Sequence, residues 1–257
     1  MITIKTSEEI KIMAEGGKIL AQIIQKLAQA VRPGIATRKL DKLARELVSY
    51  YRVEPAFLGY GGFPATVCIS VNDEVVHGVP SSRILNEGDI VGLDMGIIYE
   101  GLNVDSAVTL PALADLTYKD WTRANPREAK LIEVTKTALE IGISQARVGN
   151  HVGAIGHAVQ KFVEGQGFSV VRDLVGHGIG RKLHEEPAVP NFGRPTDGPE
   201  LVEGMVIAIE PMVTEGDWRV KKGSNGFVFV TADGSWAAHF EHTILVTRKN
   251  PEILSIA

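Results

Sequence analysis

One pattern is written into this chain twice. Glu87-Gly88-Asp89-Ile90-Val91-Gly92-Leu93-Asp94 returns 116 positions later as Glu203-Gly204-Met205-Val206-Ile207-Ala208-Ile209-Glu210. Each copy is a Glu-Gly turn, then an apolar strand, then a carboxylate. A displacement of 115 lays Gly34, Leu40, Leu43, Ala44, Leu47 and Val48 over Gly149, Ile155, Ala158, Val159, Phe162 and Val163. Either match alone is within chance, but two nearly equal offsets indicate an internal duplication. The expected architecture is one domain over residues 1–257, built from related halves of about 1–115 and 116–257. A pseudo-twofold pair of sheets would bring equivalent carboxylates to one central seam from opposite sides.

The hydrophobic pattern fills in each half. Ile10, Met13, Ala14, Ile19, Leu20, Ile23, Ile24 and Leu27 recur at helical spacing from Ser7, with Glu8 and Glu9 in the first turn and Pro33-Gly34 as the stop. A second helix is predicted from about Thr37, which can cap it, with Leu40, Leu43, Ala44, Leu47 and Val48 on one face. The period then changes to two. Val67–Val71, Val75–Val79 and Asp89–Leu110 read as strands, the last a hairpin turning at Glu100-Gly101. Pro111–Pro126 reads as an irregular polar connection. Helices then recur over Arg127–Arg147 and His151–Glu164, followed by strands near Phe168–Leu174, Met205–Glu210, Gly226–Thr231 and Glu241–Thr247.

Bulk properties narrow the function classes. With 44% hydrophobic residues, 257 residues can bury a substantial core. Lys plus Arg number 27 against 31 acidic residues, and the net charge of -4 is dispersed, so no nucleic-acid or membrane partner is implied. Cys68 stands alone, which excludes an internal disulfide framework and points to a reducing, cytoplasmic setting. The first residues lack a basic patch followed by an apolar run, and no stretch reaches the roughly 18 to 20 apolar residues of a membrane span.

The chemistry lies in carboxylates placed where apolar residues belong. Asp94 interrupts Ile90–Ile98, and a lone buried carboxylate is costly to desolvate. If the hairpin turns at Glu100-Gly101, Asp94 lies diagonal to Asp105 on one sheet face, and two such charges repel unless a proton or metal intervenes. Glu210 ends an apolar strand before Pro211, and Glu241 opens another; each alone could be a loop cap or an edge charge. Glycines flank His177 in Gly176-His177-Gly178-Ile179-Gly180, which brings bare backbone close to whatever that residue binds. His184 follows seven residues later in non-helical sequence, unlike the His-Glu-x-x-His helix of mononuclear zinc peptidases, and His77 stands in a related His-Gly-Val-Pro context. His151, His157 and His239 carry no assigned role. His242 should point away from Glu241, to the other sheet face.

Taken together, Cys68-Ile-Ser-Val-Asn, His77-Gly-Val-Pro, Val-Gly-Leu-Asp94, Asp105, Gly-His177-Gly-Ile-Gly, His184-Glu-Glu-Pro, Ile-Glu210-Pro-Met and Glu241-His-Thr resemble the type I methionine aminopeptidases, in order and over nearly the whole chain. The resemblance implies the duplicated pita-bread α/β fold, with pseudo-twofold antiparallel sheets and helices outside. It implies two divalent ions, Co, Mn, Fe or Zn: Asp94 and Asp105 on one, His177 and Glu210 on the other, Asp105 and Glu241 bridging. Glu210 would also take the proton of the attacking water, while His77 and His184 touch the substrate. A methionine pocket is implied at Tyr60, Phe63, Cys68 and Leu183, with Phe227 nearby. Phe63 stands where the family often has tyrosine, Leu183 where it has phenylalanine, and Phe227 where it has tryptophan. The implied substrate is the N-terminal methionine of nascent polypeptides with a small second residue, processed in proximity to the ribosome by a monomer. The absence of a Cys/His-rich extension and of a long insertion matches the short type I form. Two other readings compete: a proline-directed peptidase of the same fold, which normally carries a large N-terminal domain where this chain has about seventy residues before His77, and a metal-free binding protein, in which ligands are lost.

Overall fold

The long hairpin expected around Glu100-Gly101 organises the molecule. In a computed structural model, which describes residues 2–114 and 117–256, β4 (Ile90–Tyr99) and β5 (Leu102–Pro111) pair from Tyr99↔Leu102 to Ile90↔Pro111. Both turn residues have positive φ, 47° at Glu100 and 81° at Gly101, the two-residue geometry whose twist suits flanking strands. Helices α1 (Ser7–Ala30) and α2 (Thr37–Tyr51) precede the hairpin, with β1 (Glu54–Pro55), β2 (Cys68–Val71) and β3 (Glu74–Val76) between. The second half begins with α3 (Tyr118–Ala124), α4 (Pro126–Gln145) and α5 (Val152–Gly165). It continues through β6 (Ser169–Val170), β7 (Gly176–Gly178), β8 (Glu185–Val189), β9 (Val206–Ile209), β10 (Met212–Thr214) and β11 (Val220–Lys222). It closes with β12 (Phe229–Thr231), β13 (Ala237–His239), β14 (Glu241–Leu245) and β15 (Glu252–Ile253).

Helices α1 and α2 precede the first antiparallel strand set, and α3, α4 and α5 the second. The halves do not keep separate main sheets. β14 pairs with β5 (Glu241↔Ala107, His242↔Ser106), joining them into one nine-stranded sheet in the order β1-β4-β5-β14-β9-β7-β8, with β2 on β4 and β15 on β14. Smaller sheets, β13-β10-β6 and β11-β12-β3, flank it.

Strand alternation then divides the two faces. Leu93, Met95, Ile97 and Val104 pack with Met13, Leu20, Ile23 and Leu27 of α1 and Leu40 and Ala44 of α2. Ile207, Ile209 and Ile244 pack with Leu131, Ala138 and Leu139 of α4 and Ile155 and Val159 of α5. Asp94, Asp105 and Glu241 alternate with these apolar residues and so face away from the helices. His242 takes the opposite face from Glu241 and bonds Ser255 Oγ through Nδ1 at 2.8 Å, a structural role.

Two local expectations are corrected. Pro111–Pro126 is not wholly irregular: α3 forms there, its N-terminus capped by Thr117 Oγ1 accepting from the Asp120 N–H, and Trp121 is fully buried beside Ile90. One buried aromatic suffices to dock so short a helix, too short to display periodicity; residues 115 and 116 lie outside the described residues. Thr37 does not cap α2. Ala36 is the N-cap, and Thr37 Oγ1 instead accepts from the Ser81 N–H at 2.8 Å, tying α2 to the segment just after His77.

α1 lies against the β15 segment so closely that a Cβ on Gly17 would fall 2.0 Å from Leu254 O. Helix propensity favours alanine over glycine by about 1 kcal/mol, but displaced backbone outweighs that gain, since overpacking costs about 1–3 kcal/mol. Gly17→Ala is therefore expected to lower the thermal midpoint by a few degrees in scanning calorimetry. An unchanged or higher midpoint would show that α1 is not seated this tightly.

Candidate metal centre and active site

The sheet face turned away from the helices lines a cavity of about 530 Å³. Every residue singled out from the sequence reaches it: Asp94, Asp105, His177, Glu210, Glu241, His77, His184, Tyr60, Phe63, Cys68, Leu183 and Phe227. Strand ends and neighbours supply them. Asp94 and Asp105 come from the paired hairpin strands, Glu241 opens β14 beside Ala107 of β5, and Glu210 follows β9. Cys68 of β2 lies opposite Asp94.

The glycines beside His177 are explained by crowding. A Cβ at Gly176 would lie 2.4 Å from Ala208 O, and one at Gly178 would lie 2.2 Å from Glu186 O, so β7 fits between β8 and β9 only with bare backbone. His177 Nδ1 bonds its neighbour Gly178 O at 2.9 Å, which turns Nε2 inward, 3.7 Å from Glu210 Oε1. His77 adopts a left-handed backbone, φ 58°, and the following Gly78 abuts Ile69 O, where a Cβ would lie at 2.1 Å. His184 Nδ1 bonds Tyr60 Oη at 2.8 Å, and its ring meets that of His177 edge-on, centroids 4.3 Å apart.

The electrostatics of this floor call for protons or a cation. No Lys or Arg lines the cavity among the described residues, yet four carboxylates converge there. Burial, reinforced by the charge of Asp105, pushes Asp94, Glu210 and Glu241 well above the usual carboxylate range, and burial raises Asp105 as well. Asp94 Oδ1 and Glu241 Oε1 are buried without any hydrogen-bond partner, an expensive condition unless something else satisfies them. Ligand atoms of Asp105, His177 and Glu241 all lie within 4.8 Å of one another. Burial holds His177 neutral, its pKa lowered to about 4, so an imidazole lone pair is free to bind. Carboxylate oxygens with one imidazole suit a hard or borderline divalent ion. The donor set therefore fits a metal.

Sequence reasoning passed over His239. It is 4% exposed at the end of β13, and its Nε2 lies 3.6 Å from Glu210 Oε2 with no hydrogen-bond partner. Its placement follows from the β10–β13 register, Met212↔His239, a pairing no local pattern discloses.

Comparison with known proteins identifies the family. Residues 11–248 match the model of metallopeptidase family M24. The chain is 47% identical over its whole length to a methionine aminopeptidase of Clostridium acetobutylicum, covering 99% of that protein. It is 43% identical to methionine aminopeptidase 1 of Bacillus subtilis, over 99% of each chain. The chain belongs to the methionine aminopeptidases of family M24. The crystal structure of a Thermotoga maritima methionine aminopeptidase superposes with a TM-score of 0.93 at 44% identity, each chain fully covered. A prolidase of Pyrococcus horikoshii shares the fold alone, with a TM-score of 0.76 at 23% identity over 98% of this chain and 63% of the prolidase. The family is one of metal-dependent hydrolases, and the carboxylate floor is its candidate metal centre here.

The raised carboxyl pKa values have a stability consequence. A carboxyl that holds its proton more tightly folded than unfolded makes the protein less stable as pH rises towards its folded value. The buried neutral histidines act the other way, but only from their depressed values up to about 6.5, the unfolded pKa. Above about pH 7 the carboxylates alone remain. Metal-free protein is expected to lose thermal stability as pH rises above about 7, and Asp94→Asn to lose less. A midpoint that rises over this window, or falls equally in both proteins, would remove the electrostatic conflict.

Proposed function

We propose that this chain is the catalytic domain, residues 1–257, of an enzyme that removes the N-terminal methionine from nascent polypeptides whose second residue is small. The observation that carries the reading is the meeting of three buried carboxylates, the part-buried Glu210 and His177 at the floor of a cavity walled by apolar side chains. Asp94 and Asp105 would hold one divalent ion, His177 and Glu210 a second, with Asp105 and Glu241 shared; Co, Mn, Fe and Zn all suit these donors. When bound, such a pair polarises the scissile carbonyl and acidifies water.

The remaining steps belong to the chain's own residues. Glu210 accepts the proton of the attacking water and passes it to the leaving amine. His184, steadied by Tyr60, and His77 bond the scissile amide as charge develops on it. The methionine side chain enters between Tyr60, Phe63, Cys68, Leu183 and Phe227, where the Phe63 and Phe227 rings meet edge-on with centroids 5.5 Å apart. Burial, with the charges of Asp94, Asp105 and Glu241, keeps the Cys68 thiol protonated, so it serves as apolar wall rather than nucleophile. Among the described residues no helix is long and apolar enough to cross a membrane. A cytoplasmic monomer working close to the ribosome completes the reading.

Chelator-stripped protein is expected to release methionine from Met-Ala-Ser only after Mn(II), Co(II) or Fe(II) is restored, and to leave Gly-Pro intact. Cleavage confined to Gly-Pro would make it a prolidase, and silence with every metal would make it a binding protein. Glu210→Ala should lower kcat by at least about 10²-fold with an unchanged circular-dichroism spectrum, and substantial remaining turnover would remove Glu210 from the chemistry. His184→Ala should slow turnover while metal binding persists by calorimetry; loss of metal instead would make His184 a ligand.

A further inference from the structure

We propose that the segment ahead of α1 is a positioning element of the active site, in which Lys5 and Thr3 fix, through Glu185, the loop that carries Leu183 and His184. The inference rests on the function proposed above and extends it to residues remote from the chemistry in sequence.

The ties are specific. Lys5 Nζ lies 2.7 Å from Glu185 Oε2, and the two side chains are only 1% and 6% exposed. Thr3 Oγ1 donates to the same carboxylate oxygen, and Glu185 Oε1 accepts from the Lys182 N–H at 3.0 Å. Burial pushes the Glu185 carboxyl up, but the bonds from Lys5, Thr3 and Lys182 hold it below its usual range. The Lys5 stem lies on Gly180, where a Cβ would fall 2.1 Å from Lys5 Cε. Gly180 O is held from the other side by the Asn103 N–H at 2.7 Å and by Asn103 Nδ2 at 2.9 Å. Lys5 is itself anchored, its N–H donating to Gly204 O at 2.9 Å. Arg181 reaches Glu9 of α1 at 2.6 Å.

These contacts surround one short loop. β7 and β8 pair at Gly178↔Glu185, so Ile179–His184 forms the link between them. His184 immediately precedes Glu185, and both line the cavity as well as a neighbouring hollow bordered by Thr3 and Lys182. A buried ion pair gains little net stability over an apolar pair of similar size, because desolvation offsets attraction. What this pair supplies is a single position for its carboxylate, and hence for the residue beside it. A small displacement of a substrate-contacting group suffices to slow catalysis by up to about 10²-fold.

The decisive comparison is among wild type, Lys5→Met and Lys5→Met/Glu185→Leu, each loaded with Mn(II). The single variant leaves Glu185 buried and uncompensated, so its thermal midpoint and its turnover of Met-Ala-Ser should both fall. The double variant restores an apolar contact: its midpoint should return to within a few degrees of wild type, while kcat stays about tenfold low with less change in KM. Recovery of both stability and kcat would show the clamp to be structural only. The His184 Cε1–H resonance, followed by NMR in the metal-free proteins to avoid paramagnetic broadening by Mn(II), gives a readout independent of turnover. It should shift or broaden in both variants, and an unchanged resonance would overturn the proposal. If wild type itself releases no methionine, the functional reading fails while the resonance still judges the clamp.

Discussion

Four carboxylates that converge on one side of a continuous sheet, Asp94, Asp105 and Glu241 buried and Glu210 part-buried, with no basic side chain among the described residues of the cavity to meet them, are the constraint around which this protein is arranged. Such a cluster is unfavourable for folding by itself, because each added charge raises the cost of ionising the others. The fold holds it in place by placing apolar surface behind it. Helices α1 and α2 cover the first half of the sheet and α4 and α5 the second, so strand alternation has one face free for Asp94, Asp105 and Glu241. Protons or divalent cations are the available answers to that charge, and the family to which the chain belongs uses metals.

Both halves of the chain contribute to this arrangement. Asp94 and Glu210 occupy matching positions of the repeated sequence pattern, Asp94 within β4 and Glu210 just after β9, and the β5–β14 pairing brings Asp105 and Glu241 to the seam between halves. The histidines break the symmetry. His177 faces Glu210 across a strand narrowed by glycine, and His184 stands at the rim beside Tyr60. Each half thus supplies two of the four carboxylates and part of the pocket wall, with His77 from the first half and His177 and His184 from the second.

Much of this could be read from the residues, where local rules sufficed. The Glu100-Gly101 turn set the hairpin register and therefore put Asp94 and Asp105 on one face, and the glycines around His177 signalled close backbone approach. Glu210 and Glu241 were ambiguous one at a time, and only the family resemblance grouped them with the others. What local pattern could not disclose depends on contacts between distant segments. The joining of two sheets through β5 and β14 and the burial of Lys5 against Glu185 arise from contacts across much of the chain, and the approach of His239 to Glu210 from a strand pairing that no local pattern marks. The helix at Tyr118–Ala124 escaped for a different reason: its docking rests on the single side chain of Trp121.

The central claim, that the carboxylate floor is a metal site, is tested most directly by diffraction from crystals soaked in Mn(II), with data collected for anomalous scattering. Two anomalous peaks are predicted, one against Asp94 and Asp105 and the other against His177 and Glu210, with Asp105 and Glu241 touching both. Absence of anomalous density among these residues, or peaks only elsewhere in the molecule, would contradict the account.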